Sequence, residues 1–110
     1  MAKFAWIWQI KPECVEEYVK MHNNPWPEIM KAHHDAGFKN YSIFQNPNKP
    51  TEFFYCFEVD GDAQTAFDKM EANEDCKRWN AITSKMIDHE MEGEDVSSGV
   101  DYMPEVFFLA

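Results

Sequence analysis

Alternation opens the chain: Phe4, Trp6, Trp8 and Ile10 interleave with Ala5, Ile7 and Gln9, a period of two that predicts a first strand with one strongly apolar face. Pro12 suits the start of a helix, and Glu13, Glu16 and Glu17 complement the positive end of its dipole. Cys14, Val15, Tyr18, Val19 and His22 then recur at helical spacing, so they share the apolar stripe until Pro25 ends the helix. Trp26 precedes a proline and is held out of helical dihedrals, while Pro27 opens a second helix through Ala36, with Gly37 as its left-handed cap. Asn40 to Gln45 alternates again, with Tyr41 and Ile43 on one face. After the turn-rich Asn46 to Pro50, Glu52 to Val59 does the same, which predicts a hairpin. Ala63, Ala66, Phe67 and Met70 mark a further helix. Asn73 opens another through Met91, with Trp79, Ile82 and Met86 as its stripe. Glu92 to Pro104 reads as a loop, and Glu105 to Leu109 as a fourth strand.

This order is βαββαβ with split helices, the pattern of a ferredoxin-like α+β sandwich. The strands carry large apolar residues on both faces: Ile7 opposes Trp6 and Trp8, and Phe54 and Cys56 oppose Phe53 and Tyr55. Helices in this arrangement cover one face only, so a homodimer with two sheets packed face to face is expected.

Composition narrows the function. At 110 residues the chain is expected to be a single domain, 1–110, and 15% aromatic content argues for a packed core. A net charge of -10 disfavours nucleic acid and anionic membrane surfaces as partners and suits a neutral small molecule. Cys14, Cys56 and Cys76 are odd in number and lack CxxC spacing, so neither a disulfide framework nor a zinc knuckle is expected. The first residues do not resemble a secretory leader and no stretch has membrane length, which reads as a cytoplasmic protein.

The candidate chemistry lies at the end of the first helix. Tyr18 and His22 are four residues apart and share one face, Asn23 and Asn24 follow, and two prolines bracket Trp26. A histidine on an apolar helix face can be a core residue with one satisfied hydrogen bond. In this setting it can also exchange protons near neutral pH. His33 and His34 are adjacent on a helix and point in different directions, and no HxxxH or HExxH spacing suggests a metal site. Tyr41 and Trp79 suit strand and core packing, or, with Trp26, the aromatic wall of a sugar pocket. The acidic run from Glu90 to Asp95 is read as a solvated loop face.

These landmarks resemble the L-rhamnose mutarotases over nearly the whole chain. The matching features are Tyr18-x-x-x-His22-Asn23-x-x-Trp26-Pro27-Glu28, Gly37 with Asn40-Tyr41-Ser42-Ile43-Phe44, Cys76-Lys-Arg78-Trp79, and Glu105-Val-Phe-Phe-Leu109. The resemblance implies a ferredoxin-like sandwich that dimerises into an α/β barrel and interconverts the α and β anomers of a 6-deoxyhexose without a cofactor or metal. It also implies that His22 is the proton donor, that Tyr18 and Tyr41 bind the monosaccharide, and that Trp79 belongs to the site wall. Asn80 stands where the family has a second tryptophan. That change bears on the choice of sugar, with L-rhamnose expected and L-fucose the alternative. A non-catalytic ligand-binding dimer of the same barrel class is the reading from a different functional class.

Overall fold

The computed structural model describes residues 2–88 and 100–110. Strands β1 (Ala2–Gln9), β2 (Phe38–Gln45) and β3 (Glu52–Val59) form one antiparallel sheet in the order β1-β3-β2. The register sets Trp6 opposite Tyr55 and Phe4 opposite Phe57, and it flanks Phe54 with Ile7 and Phe44. Because side chains alternate across the pleat, two apolar surfaces result. One carries Trp6, Phe53, Tyr55, Phe57 and Val59, all buried, and the other carries Ile7, Phe44 and Phe54, all exposed. On the buried face Trp6 stacks on Tyr55 at 4.9 Å and Phe4 on Phe57 at 5.2 Å. Such pairs contribute about 0.5–1.5 kcal/mol each beyond their buried area. The indole Nε1 of Trp6 is a buried donor without a partner among the described residues.

The four helices of the described residues are amphipathic. A 3-10 turn at Pro12–Cys14 leads into α1 (Val15–Asn23), which buries Tyr18 against the sheet. Trp26 is extended, with φ -62° and ψ 135°, and Pro27 begins α2 (Pro27–Ala36). Helix α3 (Ala63–Ala72) is capped by Asp62, whose carboxylate accepts from the Thr65 amide at 2.9 Å. Helix α4 (Glu74–Thr83) is capped by Asn73, which accepts from the Cys76 amide at 3.0 Å. These are the side chains favoured at helix starts, where amide groups lack partners within the helix. Tyr18, Ala36 and Ala66 join the main core on the sheet. A second cluster of Ile29, Ala32, Cys76 and Trp79 locks α2 to α4. The result is a ferredoxin-like α+β arrangement with helices on one face of the sheet.

Two expected elements differ. The last helix ends at Thr83 and does not reach Met91; residues 89–91 lie outside the described part of the chain. The Met86 amide reaches back only to the Thr83 carbonyl, a tightened final turn. Lys11 then donates to Met86 and Asp88 to Gln9, both at 2.8 Å, and draw Ile87 into a bridge with Ile10. Pairing with the end of β1 therefore wins over helix continuation. Ile82 is accordingly 40% exposed, and the buried stripe of α4 is Cys76, Trp79 and Thr83.

The fourth strand, Glu105 to Leu109, is not part of the sheet. Along the open edge of β1 the tail makes one backbone bond, Met103 to Ala5 at 2.7 Å, followed by a Lys3–Glu105 ion pair and the Lys3 ammonium over the Phe108 ring. A ladder needs successive backbone partners, and one bond does not make a strand. Val106, Phe107, Phe108 and Leu109 remain 60–93% exposed. Of the predicted loop, 92–99 lie outside the described residues, and 100–104 carry no regular structure.

Candidate functional site

Helices α1 and α2, strand β2 and the face of α4 bound an open groove of about 620 Å³, within the usual range for small-molecule sites. Tyr18, His22, His33, Tyr41 and Trp79 all line it. Helical spacing puts Tyr18 and His22 on the same face of α1, and their rings lie 4.4 Å apart. Trp79 and His22 meet edge to face at 5.5 Å, and Trp26 backs Trp79 at 5.1 Å. The early proline break therefore holds an indole behind the site wall, and Trp26 itself is not among the residues lining the groove.

Tyr41 reaches the groove through a backbone irregularity. The pairing of β2 with β3 slips between Lys39 and Ser42, and Asn40 adopts a positive φ of 52°. Asparagine tolerates that conformation better than most residues, and its side-chain amide is anchored to Glu58. The bulge turns Tyr41 to the same side as Phe38 and Ile43. There it stacks on Phe57 at 5.1 Å and meets His33 edge to face at 5.5 Å.

Hydrogen bonding fixes the protonation pattern. Nδ1 of His22 lies 2.7 Å from the Tyr18 carbonyl oxygen. A carbonyl can only accept, so Nδ1 carries the hydrogen and Nε2 is the nitrogen left for a ligand. Burial pushes the His22 pKa below its usual value, partly opposed by that hydrogen bond, so the neutral ring with a bare Nε2 is the form present at neutral pH. The Tyr18 hydroxyl meets that of Tyr55 at 2.6 Å, and burial pushes the Tyr18 phenol up to about 12, with the Tyr55 hydrogen bond lowering it in part. Tyr18 is therefore a neutral hydrogen-bonding group at physiological pH and a poor base. The Tyr41 phenol is also raised, by loss of hydration first, although the residue keeps 40% of its surface exposed. Tyr41 too is neutral at physiological pH.

The Tyr18–Tyr55 hydrogen bond can be tested by deletion. Tyr55→Phe leaves the Tyr18 hydroxyl buried without this partner and should destabilise the fold by about 1–3 kcal/mol, read as a lower midpoint in urea. An unchanged midpoint would mean that water reaches the hydroxyl.

Of the residues expected from the sequence, Tyr18, His22, Tyr41 and Trp79 come together. Asn80 is exposed on α4 and does not line the groove. His33 is not among the residues expected from the sequence, yet it lines the same groove. Its signal was present: Ile29, Ala32, His33 and Ala36 form an i, i+3, i+4, i+7 stripe that faces inward on α2. Among the described residues no helix is long and apolar enough to cross a membrane.

The family model for L-rhamnose mutarotase matches residues 3–109. A relative from Listeria monocytogenes, described as L-rhamnose mutarotase, is 33% identical over 110 residues and covers all of both chains. In fold, the chain is similar to the crystal structure of an L-rhamnose mutarotase from Formosa agariphila, with a TM-score of 0.74 and 20% identity over the whole of both chains. It is also similar to an antibiotic biosynthesis monooxygenase, with a TM-score of 0.64 and 20% identity over 96% of this chain and 99% of the other. One fold thus serves different chemistries, and the groove residues have to distinguish them.

Proposed function

We propose, from the premise that the chain belongs to the L-rhamnose mutarotase family, that this isomerase interconverts the α and β anomers of L-rhamnose through proton transfer at His22. The observation that carries the reading is the locked imidazole. Its Nδ1 hydrogen is committed to the Tyr18 carbonyl, and the ring lies beside Tyr18 and Trp79 on the wall of a groove of suitable size.

Mutarotation requires a proton to leave the anomeric hydroxyl and another to reach the ring oxygen as the hemiacetal opens. Both oxygens are bonded to the same carbon, so one imidazole can serve both. Nε2 of neutral His22 takes the anomeric proton as the bond between C1 and the ring oxygen breaks, and the resulting imidazolium returns that proton to the ring oxygen. The products are the open-chain aldehyde and neutral His22. Rotation of the carbonyl and the reverse transfers close the ring as the other anomer, with no net change in protons or electrons. His22 is thus a base in its resting state and the proton donor in the second half of each step. The neutral phenols of Tyr18 and Tyr41 bind sugar hydroxyls, and the face of Trp79 packs on the C–H side of the ring.

The test is proton NMR exchange between the two anomer signals, with and without protein, for L-rhamnose and L-fucose in parallel. Faster exchange for L-rhamnose supports the reading. Acceleration for L-fucose alone would move the substrate, and silence for both would favour a binding protein.

The proposal includes a homodimer through the open sheet face, where Ile7, Phe44 and Phe54 expose 36–58% of their surface and the apolar tail projects nearby. Light scattering at micromolar concentration should return twice the 13.0 kDa chain mass. A monomer mass would overturn this part.

A further inference from the structure

The groove holds a second imidazole built like the first. Nδ1 of His33 lies 2.7 Å from the Ile29 carbonyl oxygen, four residues back on α2, just as Nδ1 of His22 faces Tyr18 on α1. The same argument applies: Nδ1 must donate, and Nε2 is left with a lone pair and no hydrogen. No side chain or backbone group among the described residues bonds to that Nε2. The ring is held on two further sides by edge contacts with Phe38 at 5.3 Å and Tyr41 at 5.5 Å, so its orientation is fixed before any ligand arrives. Burial pushes its pKa down, with the neighbouring His34 adding to the effect, which keeps the lone pair available at neutral pH.

Resting on the mutarotase reading, the geometry points to His33 as a sugar-binding residue whose Nε2 accepts a hydrogen bond from a substrate hydroxyl other than the anomeric one. A groove that binds a polyol needs acceptors for hydroxyl hydrogens as well as donors. The neutral phenols and the amide groups supply donors readily, while a bare imidazole nitrogen is an acceptor only, and so selects for a hydroxyl hydrogen at one place. His22 serves the anomeric end and His33, set against Tyr41 on the β2 side, serves the far end of the ring. Its function is to orient the sugar, and it takes no proton in the reaction.

The experiment combines kinetics with a direct view of the ring. His33→Leu removes the acceptor at similar bulk, and should raise KM for L-rhamnose by about two- to tenfold, the effect of one hydrogen bond, with kcat little changed. His33→Gln restores an acceptor oxygen and should recover much of the loss, which a purely structural role would not show. In the wild type, ¹⁵N NMR of the imidazole should show the Nε2 signal of His33 shifting as L-rhamnose is added. An unchanged KM in a folded His33→Leu protein, or an Nε2 signal indifferent to saturating L-rhamnose, overturns the inference. If the wild type fails to accelerate exchange but the His33 signal moves with the sugar, the mutarotase reading falls and His33 remains a binding residue. If exchange is fast and the signal does not move, only the assignment of His33 falls.

Discussion

The His22→Asn variant is expected to exchange anomers about 10²- to 10⁴-fold more slowly than the wild type, the range contributed by a well-placed acid or base group. Asparagine retains polarity at the end of α1 but cannot cycle a proton, so the loss should fall on kcat. The ring is only half-buried and outside the main core, and the variant should stay folded. Anomer exchange by NMR, with circular dichroism as the control, checks both statements; a folded variant with an unaltered rate would remove His22 from the mechanism. The pH profile supplies a second check. Because burial lowers the pKa of His22, the neutral base persists further into acid than a free imidazole would, so the fall in rate with decreasing pH should have its midpoint below the usual value of 6.5. The same shift affects stability. As pH falls from about 6.5 toward the depressed value, the unfolded chain takes up a proton that the folded one refuses, and stability at His22 is lost over that window. His33 acts in the same direction.

Gly37→Ala should be the most damaging small substitution, at about 2–4 kcal/mol. Gly37 has φ +97°, a conformation that costs an L side chain about 1–2 kcal/mol, and a Cβ there would lie 2.7 Å from the Asp60 carbonyl oxygen. That oxygen belongs to backbone tied to the same place, since the Asp60 amide donates to the Gly37 carbonyl at 2.8 Å. Relief would have to separate the start of β2 from the end of β3, the junction that presents the Asn40 bulge and Tyr41. Gly61→Ala is the natural comparison: its φ is +91°, but a Cβ would meet nothing within 4 Å, so only the dihedral cost applies. Urea denaturation of the pair should show Gly37→Ala as clearly the less stable. Equal losses would mean that the Asp60 carbonyl yields.

The contrast between these residues explains what was legible in the sequence. Gly37, Pro27 and the alternation around Trp6 and Phe57 are local signals, because a cap, a helix start and a pleat depend on neighbours in the chain, and all three formed where expected. Tyr18 with His22 was legible for the same reason, through helical spacing. The fate of α4 was not, because its end is decided by the pairing of Ile87 with Ile10, a contact across most of the chain. The face of Tyr41 follows from local alternation, but the bulge at Asn40 that aims it does not, since only the register against β3 reveals it. The pair His33-His34 gives no metal spacing, and the role of His33 shows only from the inward stripe of α2 to which it belongs. Asn80 looked decisive beside Trp79, but neighbours in a helix point about a quarter-turn or more apart, and the burial of one leaves the other in water.

The exposed tail carries a further consequence. Val106 and Leu109 are 93% and 81% exposed in a single chain. If a second copy covers them and the open sheet, part of what holds each copy together lies in its neighbour, and folding becomes linked to mass action. Diluting such a protein weakens it, so its melting temperature is a curve against concentration and not a constant.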